Sequence, residues 1–261
     1  MKVCIMTDME GLGGVNRPNP VHRGDPEYPA ARERLMCEVN AAVAGILRDG
    51  PHEVYVFDGH GGGGHFIEGK LHPKAVQFHD IDDIPRLGFD AGMSIGTHAM
   101  AGTQNAFFEH TQDESTVYNF FINGVKCGET EQFAGYLGVT GAPVVMVSGD
   151  AAACEQARER LGDIAVAIVK TAVTRNEAAS LPDAAIHEAI ASAAHAGMKR
   201  IPNIKPLTFT LPMEQVQAYT HVAVCDDRMN DPRRDPHLQR VDSRTVRRTV
   251  PAITCYADLV L

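Results

Sequence analysis

What the sequence lacks already narrows the choice. No apolar run approaches the roughly 20 residues that cross a bilayer as a helix, so no membrane span is expected. Basic residues are in the minority. Lys and Arg total 24 against 33 Asp and Glu, for a formal net charge of −9 and a pI near 5.7. That balance argues against nucleic acid or an anionic membrane as partner. The six cysteines (Cys4, Cys37, Cys127, Cys154, Cys225 and Cys255) form no CxxC pair and mostly sit in apolar contexts. They read as reduced, mostly buried thiols of a cytoplasmic protein. Met1-Lys2-Val3 leads directly into a strand without a signal-like hydrophobic segment, which fits the same compartment. There is no internal repeat and no low-complexity tract.

What is present is ordinary in bulk and informative in order. The 261 residues are 44% hydrophobic and 22% charged, a globular composition, and the length suits one large domain or one domain plus a small lobe. Short apolar runs predict strands at Val3–Met6, Glu53–Asp58, Val76–Phe78, Ala91–Gly96, Tyr118–Ile122, Pro143–Val147 and Ile164–Val169. Helices are predicted over Arg32–Arg48, Glu129–Leu137, Ala151–Leu161 and Asp183–Ala196. In the first, Leu35, Val39, Val43 and Ile46-Leu47 recur at helical spacing. The alternation predicts an α/β fold: a central, mostly parallel sheet with helices on both faces. Past a soft boundary near Lys199–Pro206 the pattern changes to period-two runs at Leu207–Leu211 and Ala218–Val224, which suggest further strands. Residues 1–200 are expected to form the α/β metal-binding catalytic domain, and 201–261 a smaller C-terminal α+β lobe packed on it. The charged run Asp226–Arg248 reads as a solvated or subunit-facing surface.

The strand ends carry the chemistry. The first strand runs out into Thr7-Asp8-Met9-Glu10-Gly11, and side chains of an extended backbone alternate, so Asp8 and Glu10 point the same way. The second ends in Asp58-Gly59-His60 and four successive glycines, Gly61 to Gly64, without the GK[ST] ending of a phosphate-binding P-loop. The fourth ends at Thr97-His98, and Glu129 opens a predicted helix. Strands of one sheet lie about 5 Å apart, so these groups can converge in the crevice where open α/β sheets build their sites. Carboxylates and imidazoles together suit one or two zinc ions. Each residue also has a plainer role open to it. Asp8 and Glu10 can cap or solvate a loop, and His60 and His98 can bond to backbone; Glu131, two residues on, rivals Glu129 as the ligand, and either can favour a helix N-terminus by charge alone. Asp58 is a candidate to orient a ligand histidine, and His65, beside the glycine run, is a structural or solvated residue bordering the site.

Six segments in order resemble a known family. They are Asp8-Met9-Glu10-Gly11, Phe57-Asp58-Gly59-His60, Leu71-His72-Pro73, Gly96-Thr97-His98-Ala99, Ile122-Asn123-Gly124 with Gly128-Glu129, and Pro143 to Asp150. Together they are similar to the zinc-dependent D-aminopeptidases of the DppA type, peptidase family M55, most closely over the first 150 or so residues. The resemblance implies that Asp8, Glu10, His60, His98 and Glu129 ligate two Zn2+ ions, with Asp8 as the bridge, and that His110 is catalytic. It also implies removal of an N-terminal residue, D-Ala-like, from a short peptide or amino-acid amide by a zinc-activated water. A ring-shaped homo-oligomer of stacked pentamers, a decamer, is implied too. Two alternatives stay open at this point: another dinuclear-zinc amidohydrolase acting on a non-peptide amide or lactam, or a non-catalytic metal-containing protein that binds a small molecule.

Overall fold

The computed structural model describes residues 1–261. Strand β1 (Lys2–Thr7) leads to helix α1 (Tyr28–Ile46), β2 (Glu53–Asp58), β3 (Ala75–Phe78), the one-turn α2 (Ile84–Leu87) and β4 (Ala91–Thr97). A long loop then reaches β5 (Val117–Ile122) and β6 (Val125–Lys126), followed by α3 (Glu129–Val139), β7 (Val144–Asp150) and α4 (Ala151–Leu161). Next come β8 (Ala165–Thr174), β9 (Glu177–Ser180) and α5 (Asp183–Arg200). The chain ends with β10 (Met213–Tyr219), α6 (Val222–Asn230), β11 (Gln239–Arg240) and β12 (Thr245–Val250).

Seven strands form one sheet in the order β3-β2-β1-β4-β7-β8-β9, parallel throughout except for β9 on the edge. The unbroken apolar runs take the middle: β4 and β7 are buried along their whole length. Alternate residues of β1 serve opposite cores. Val3 and Ile5 pack with Leu35, Val39 and Val43 of α1 and Ile190 of α5, while Cys4 packs with Phe133 and Leu137 of α3 on the other face. Full burial of each such aliphatic or aromatic side chain contributes roughly 1.5–3 kcal/mol, which fixes the helices on the two faces. The α/β fold with helices on both sides is therefore the observed one. The helix bounds agree with periodicity to within a few residues, as fraying ends allow.

A second, antiparallel sheet has the order β11-β12-β10-β5-β6. It draws β5 and β6 from before residue 200 and the other three strands from after it. Phe120, Ile122, Met213 and Val250 bury its inner face in the core shared with α3. Some details differ from the sequence pattern. β8 runs on to Thr174 and doubles back as β9, an edge strand too short and small-residued to announce itself. Residues 207–211 make no strand; the backbone of Leu207 and the ring of Phe209 lie directly on α3. A Cβ on Gly138 would sit 1.9 Å from the Leu207 carbonyl oxygen, so only glycine admits that contact. The apolar run Ala218–Val224 divides between the end of β10 and the start of α6. No helix is long and apolar enough to cross a membrane.

β2, β1 and β4 are neighbours, and Thr7 is paired with both Asp58 and Ile95. Their carboxyl ends therefore lie level. The chain returns to one side of β1 through α1 and crosses to the other for β4, so the sheet's order switches between β1 and β4. Open α/β sheets place ligand crevices at such a point.

Candidate metal centre

The loop after β1 is held close to the loop after β4. The amide of Asp8 donates to the Ile95 carbonyl (2.8 Å) and that of Gly11 to the Gly96 carbonyl (2.7 Å). Gly96 has φ +75°, and a Cβ there would meet the Asp8 carbonyl oxygen at 2.2 Å, so the two strand ends touch through backbone alone. His60 sits on the turn that follows β2, immediately before a run from Gly61 to Gly64 whose φ values are all positive. His110 lies in the β4–β5 loop. That loop is pinned by the Phe108 amide to the Arg175 carbonyl (2.7 Å) and the His110 amide to the Ala99 carbonyl (3.2 Å). Glu129 is the first residue of α3.

The structure brings all six sequence candidates into one cluster. Asp8 stands at its centre: its Oδ1 is 2.9 Å from His60 Nδ1 and its Oδ2 is 3.3 Å from His98 Nε2. His60 Nδ1 is also 3.1 Å from Glu10 Oε2, and His98 Nε2 is 3.5 Å from Glu129 Oε1. His110 stacks flat on His98, with ring centroids 3.8 Å apart and planes 6° from parallel, and its Nε2 is 4.0 Å from Glu10 Oε1. Two overlapping sets have ligand atoms within 4.8 Å of one another: Asp8, Glu10 and His98, and His98, His110 and Glu129.

The three imidazoles are prepared in the same way. His98 Nδ1 bonds to the Ala99 carbonyl (3.0 Å), His110 Nδ1 to the Phe108 carbonyl (2.8 Å) and His60 Nε2 to the Val21 carbonyl (3.2 Å). A carbonyl only accepts, so each of these nitrogens carries a proton. The other nitrogen of every ring faces the carboxylates. A ring fixed by a backbone carbonyl with its second nitrogen free is how proteins hold metal-ligating histidine.

The electrostatics agree. Burial would raise the Asp8 carboxyl, but hydrogen bonds from His60 and His98 hold it well below the usual carboxylate range. Burial opposes the His60 cation, yet the charge of Glu10 and the contact with Asp8 raise it to about 11. His98 is also raised, against burial, by Glu129 and Asp8. Glu129 is lowered by His98 despite burial. Three carboxylates in a half-enclosed crevice draw positive charge, and imidazole protons or a divalent cation both answer that field. Ligation needs neutral histidine, so cation binding releases those protons. The donor set of carboxylate oxygens and imidazole nitrogens fits zinc.

The remaining candidates have structural partners. Glu131, two residues beyond Glu129, accepts from the Gly128 amide (2.8 Å) as the helix cap and faces Arg160 instead of the cluster. Asp58 orients no histidine ring; its Oδ2 accepts from the His65 amide (2.6 Å) and so shapes the glycine loop. His65 bonds to the Tyr28 hydroxyl (2.8 Å) and packs edge-on against His60. Asp150, at the end of β7, caps α4 through the Ala153 amide and accepts from the Phe107 amide.

Three contributors were not read from the sequence. Gln112 donates its amide to Glu129 Oε1 (2.7 Å), and Tyr256 lines the cavity beside the cluster. Lys170 is buried at the end of the apolar stretch of β8, where it donates to the carbonyls of Glu10, Leu12 (3.0 Å) and Val15 (2.6 Å). A lysine closing the run Ala165–Val169 was the one visible signal.

Known proteins resemble this chain in sequence and in fold. A D-aminopeptidase of Bacillus subtilis (strain 168) is 28% identical over 218 residues, covering 80% of this chain and 77% of its own. A solved structure, the zinc-dependent D-aminopeptidase DppA from Bacillus subtilis, described as a self-compartmentalizing protease, matches with a TM-score of 0.91. Its sequence identity is 24%, over 100% of this chain and 96% of that one. The peptidase M55 family model, described as D-aminopeptidase, matches residues 1–259, so the chain belongs to that family.

Proposed function

We propose that this chain is a zinc-dependent aminopeptidase that releases the N-terminal D-residue, D-Ala-like, from short peptides or amino-acid amides. The observation that carries this is the set of three imidazoles, each tied to a backbone carbonyl and aimed at Asp8, Glu10 and Glu129. In this reading Asp8, Glu10 and His60 hold one zinc and Asp8, His98 and Glu129 a second. Asp8 is the shared ligand because its two oxygens face different histidines. Zinc bound there supplies Lewis-acid polarisation of the scissile carbonyl and favours hydroxide near neutral pH.

The protein's own groups do the rest. His110 keeps its Nδ1 proton on the Phe108 carbonyl, which leaves Nε2 to take a proton from the attacking water and return it to the departing amine. Stacking on His98 and the pinned loop hold that nitrogen facing Glu10. The buried setting of Glu10, His98 and His110 excludes bulk water from these transfers. We take the assembly to be a homo-oligomeric ring acting in the cytoplasm, following the self-compartmentalizing relative. In it, residues 1–200 carry every ligand, and 201–261 form a lobe packed on them by joining β5 and β6 in the second sheet.

One purified sample tests the reading: zinc per chain, together with release of the N-terminal residue from D-Ala and L-Ala amides and dipeptides. About two zinc per chain with D-selective release is expected, the stoichiometry of a two-metal hydrolase. Zinc without release from any of them would overturn the peptidase assignment. Protein that stays metal-free after zinc is added would overturn the metal centre itself.

A further inference from the structure

A cavity of about 220 Å3 opens beside the cluster. Asp8, His98 and Glu129 form its charged end, and Met6, Phe57, Ile81 and Tyr256 supply an apolar side. Thr7, Ser94, Thr97, Gln112 and Thr130 add polar groups between them. Tyr256 comes from far along the chain, on the short turn Tyr256–Leu259 that follows the second sheet. It is firmly placed. Asp82 Oδ1 accepts from the Tyr256 amide (2.6 Å) and from the Tyr136 hydroxyl (2.8 Å). The Tyr136 ring packs edge-on against the Tyr256 ring at 5.6 Å. Asp258 closes the turn by accepting from the amides of Thr254 (2.7 Å) and Cys255 (3.1 Å). Ile81, beside the anchoring Asp82, belongs to the 3-10 turn Ile81–Asp83.

The backbone and ring of Tyr256 are thus held, while its hydroxyl bonds to no other group of the protein. That phenol, on a half-buried ring lining the cavity, is free to donate to a ligand there. It borders a cavity whose far end is the carboxylate and imidazole cluster. With Met6, Phe57 and Ile81 it gives the cavity an apolar side, and the space leaves far more room than a methyl group fills.

Building on the aminopeptidase reading, we propose that this cavity is the subsite for the side chain of the released residue and that Tyr256 is its substrate-contacting residue. The side chain rests on Met6, Phe57 and Ile81, and the Tyr256 hydroxyl donates to a carbonyl oxygen of the substrate. The substrate class that follows is a short peptide or amide whose released residue is apolar, with room for side chains beyond the methyl of D-Ala. No bond to the protein is made or broken by Tyr256; it binds and orients.

The test compares the zinc-loaded wild type with Tyr256→Phe and Ile81→Phe on the amides of D-Ala, D-Leu and D-Phe, with zinc content measured on each sample. The wild type is expected to release D-Leu and D-Phe amides within about tenfold of D-Ala amide in kcat/KM. Tyr256→Phe keeps the ring and its packing and is expected to lower kcat/KM about tenfold, the scale of one hydrogen bond, with zinc unchanged. Ile81→Phe narrows the cavity and is expected to cost the D-Phe amide at least about tenfold more than the D-Ala amide, as crowding a packed pocket does. Tyr256→Phe within about twofold of wild type, a wild type that releases D-Ala amide but neither D-Leu nor D-Phe amide, or an Ile81→Phe loss equal on all three amides overturns the subsite. A wild type that releases none of the amides overturns the aminopeptidase reading instead, and the subsite with it.

Discussion

The loop that follows β1 has two sides, and polar groups are buried on both. Above it, Asp8, Glu10, His60, His98, His110 and Glu129 crowd together and open onto a cavity. Beneath it, Lys170 gives its ammonium protons to the carbonyls of Glu10, Leu12 and Val15, and Glu38 accepts from the Gly13 amide (2.6 Å). In the lower group Lys170 meets three carbonyl acceptors within the chain and the Phe107 ring covers its ammonium at 4.1 Å, with only Glu38 Oε2 left without a partner. The upper group does not match donors to acceptors in this way. Its acceptor atoms exceed its donors, and every imidazole spends one nitrogen on backbone so that the other stays turned inward. Burial penalises both arrangements. A support resolves that penalty internally, and a site leaves it for a cation and a substrate to resolve.

That contrast can be broken from above first. Asp8→Ala removes the residue that serves both halves of the cluster. Zinc content is expected to fall below one per chain and turnover by about a thousandfold or more, since metal-derived polarisation is lost with it. Metal analysis beside the rate decides this. His110→Ala is the next largest effect: turnover should fall by roughly 10²–10⁴, the scale of one general acid–base group, with zinc content unchanged. A loss of zinc in this variant would make His110 a ligand instead of a proton carrier.

From below, Lys170→Met keeps the stem's volume and removes the ammonium, leaving three carbonyls without donors. The expected cost is about 3 kcal/mol or more of stability, read as a lower midpoint in denaturant. An unchanged midpoint would mean the loop does not depend on that cation. The smallest effect depends on pH. Burial pushes the Glu38 carboxyl from 4.5 up to about 8, although the Gly13 amide and Lys170 pull the other way. Between those values the folded chain keeps a proton that the unfolded chain releases, so this group's contribution is present below pH 4.5 and is lost as pH rises through 8. Glu38→Gln removes the titration. Its melting temperature should gain on wild type across that window and hold a constant offset above it; a gap that stays flat with pH would place Glu38 as an ordinary ionised carboxylate.

Much of the upper group was legible because each member stands at a break in a strong pattern. Asp8 and Glu10 follow an apolar run, His60 and His98 follow strand ends, and Glu129 begins a helical one. Glu129 and Glu131 were not separable in one dimension. Two residues along a helix is about 200° of turn, so once α3 docks, one carboxylate faces the cluster and the other caps Gly128. Asp58 read as a partner for a histidine ring, but the left-handed glycines of the next turn bring the His65 amide to it instead. Tyr256 was silent in the sequence because its neighbourhood, Asp82 and Tyr136, is assembled from segments over a hundred residues away.

The sequence by itself determined the layered α/β architecture, the strand ends that carry ligand-type residues and the resemblance that names a chemistry. Those rest on local pattern: apolar runs long enough for strands, helical periodicity, and glycine where the backbone turns. Tertiary structure alone decided how β2, β1 and β4 align so that Asp8 touches two histidines at once, which nitrogen of each ring is free, what holds the loop from beneath and which distant tyrosine closes the cavity. The physical reason is that sheet order, ring tautomers and cavity walls are set by contacts between residues far apart in the chain. Periodicity along the sequence carries no record of which segments meet.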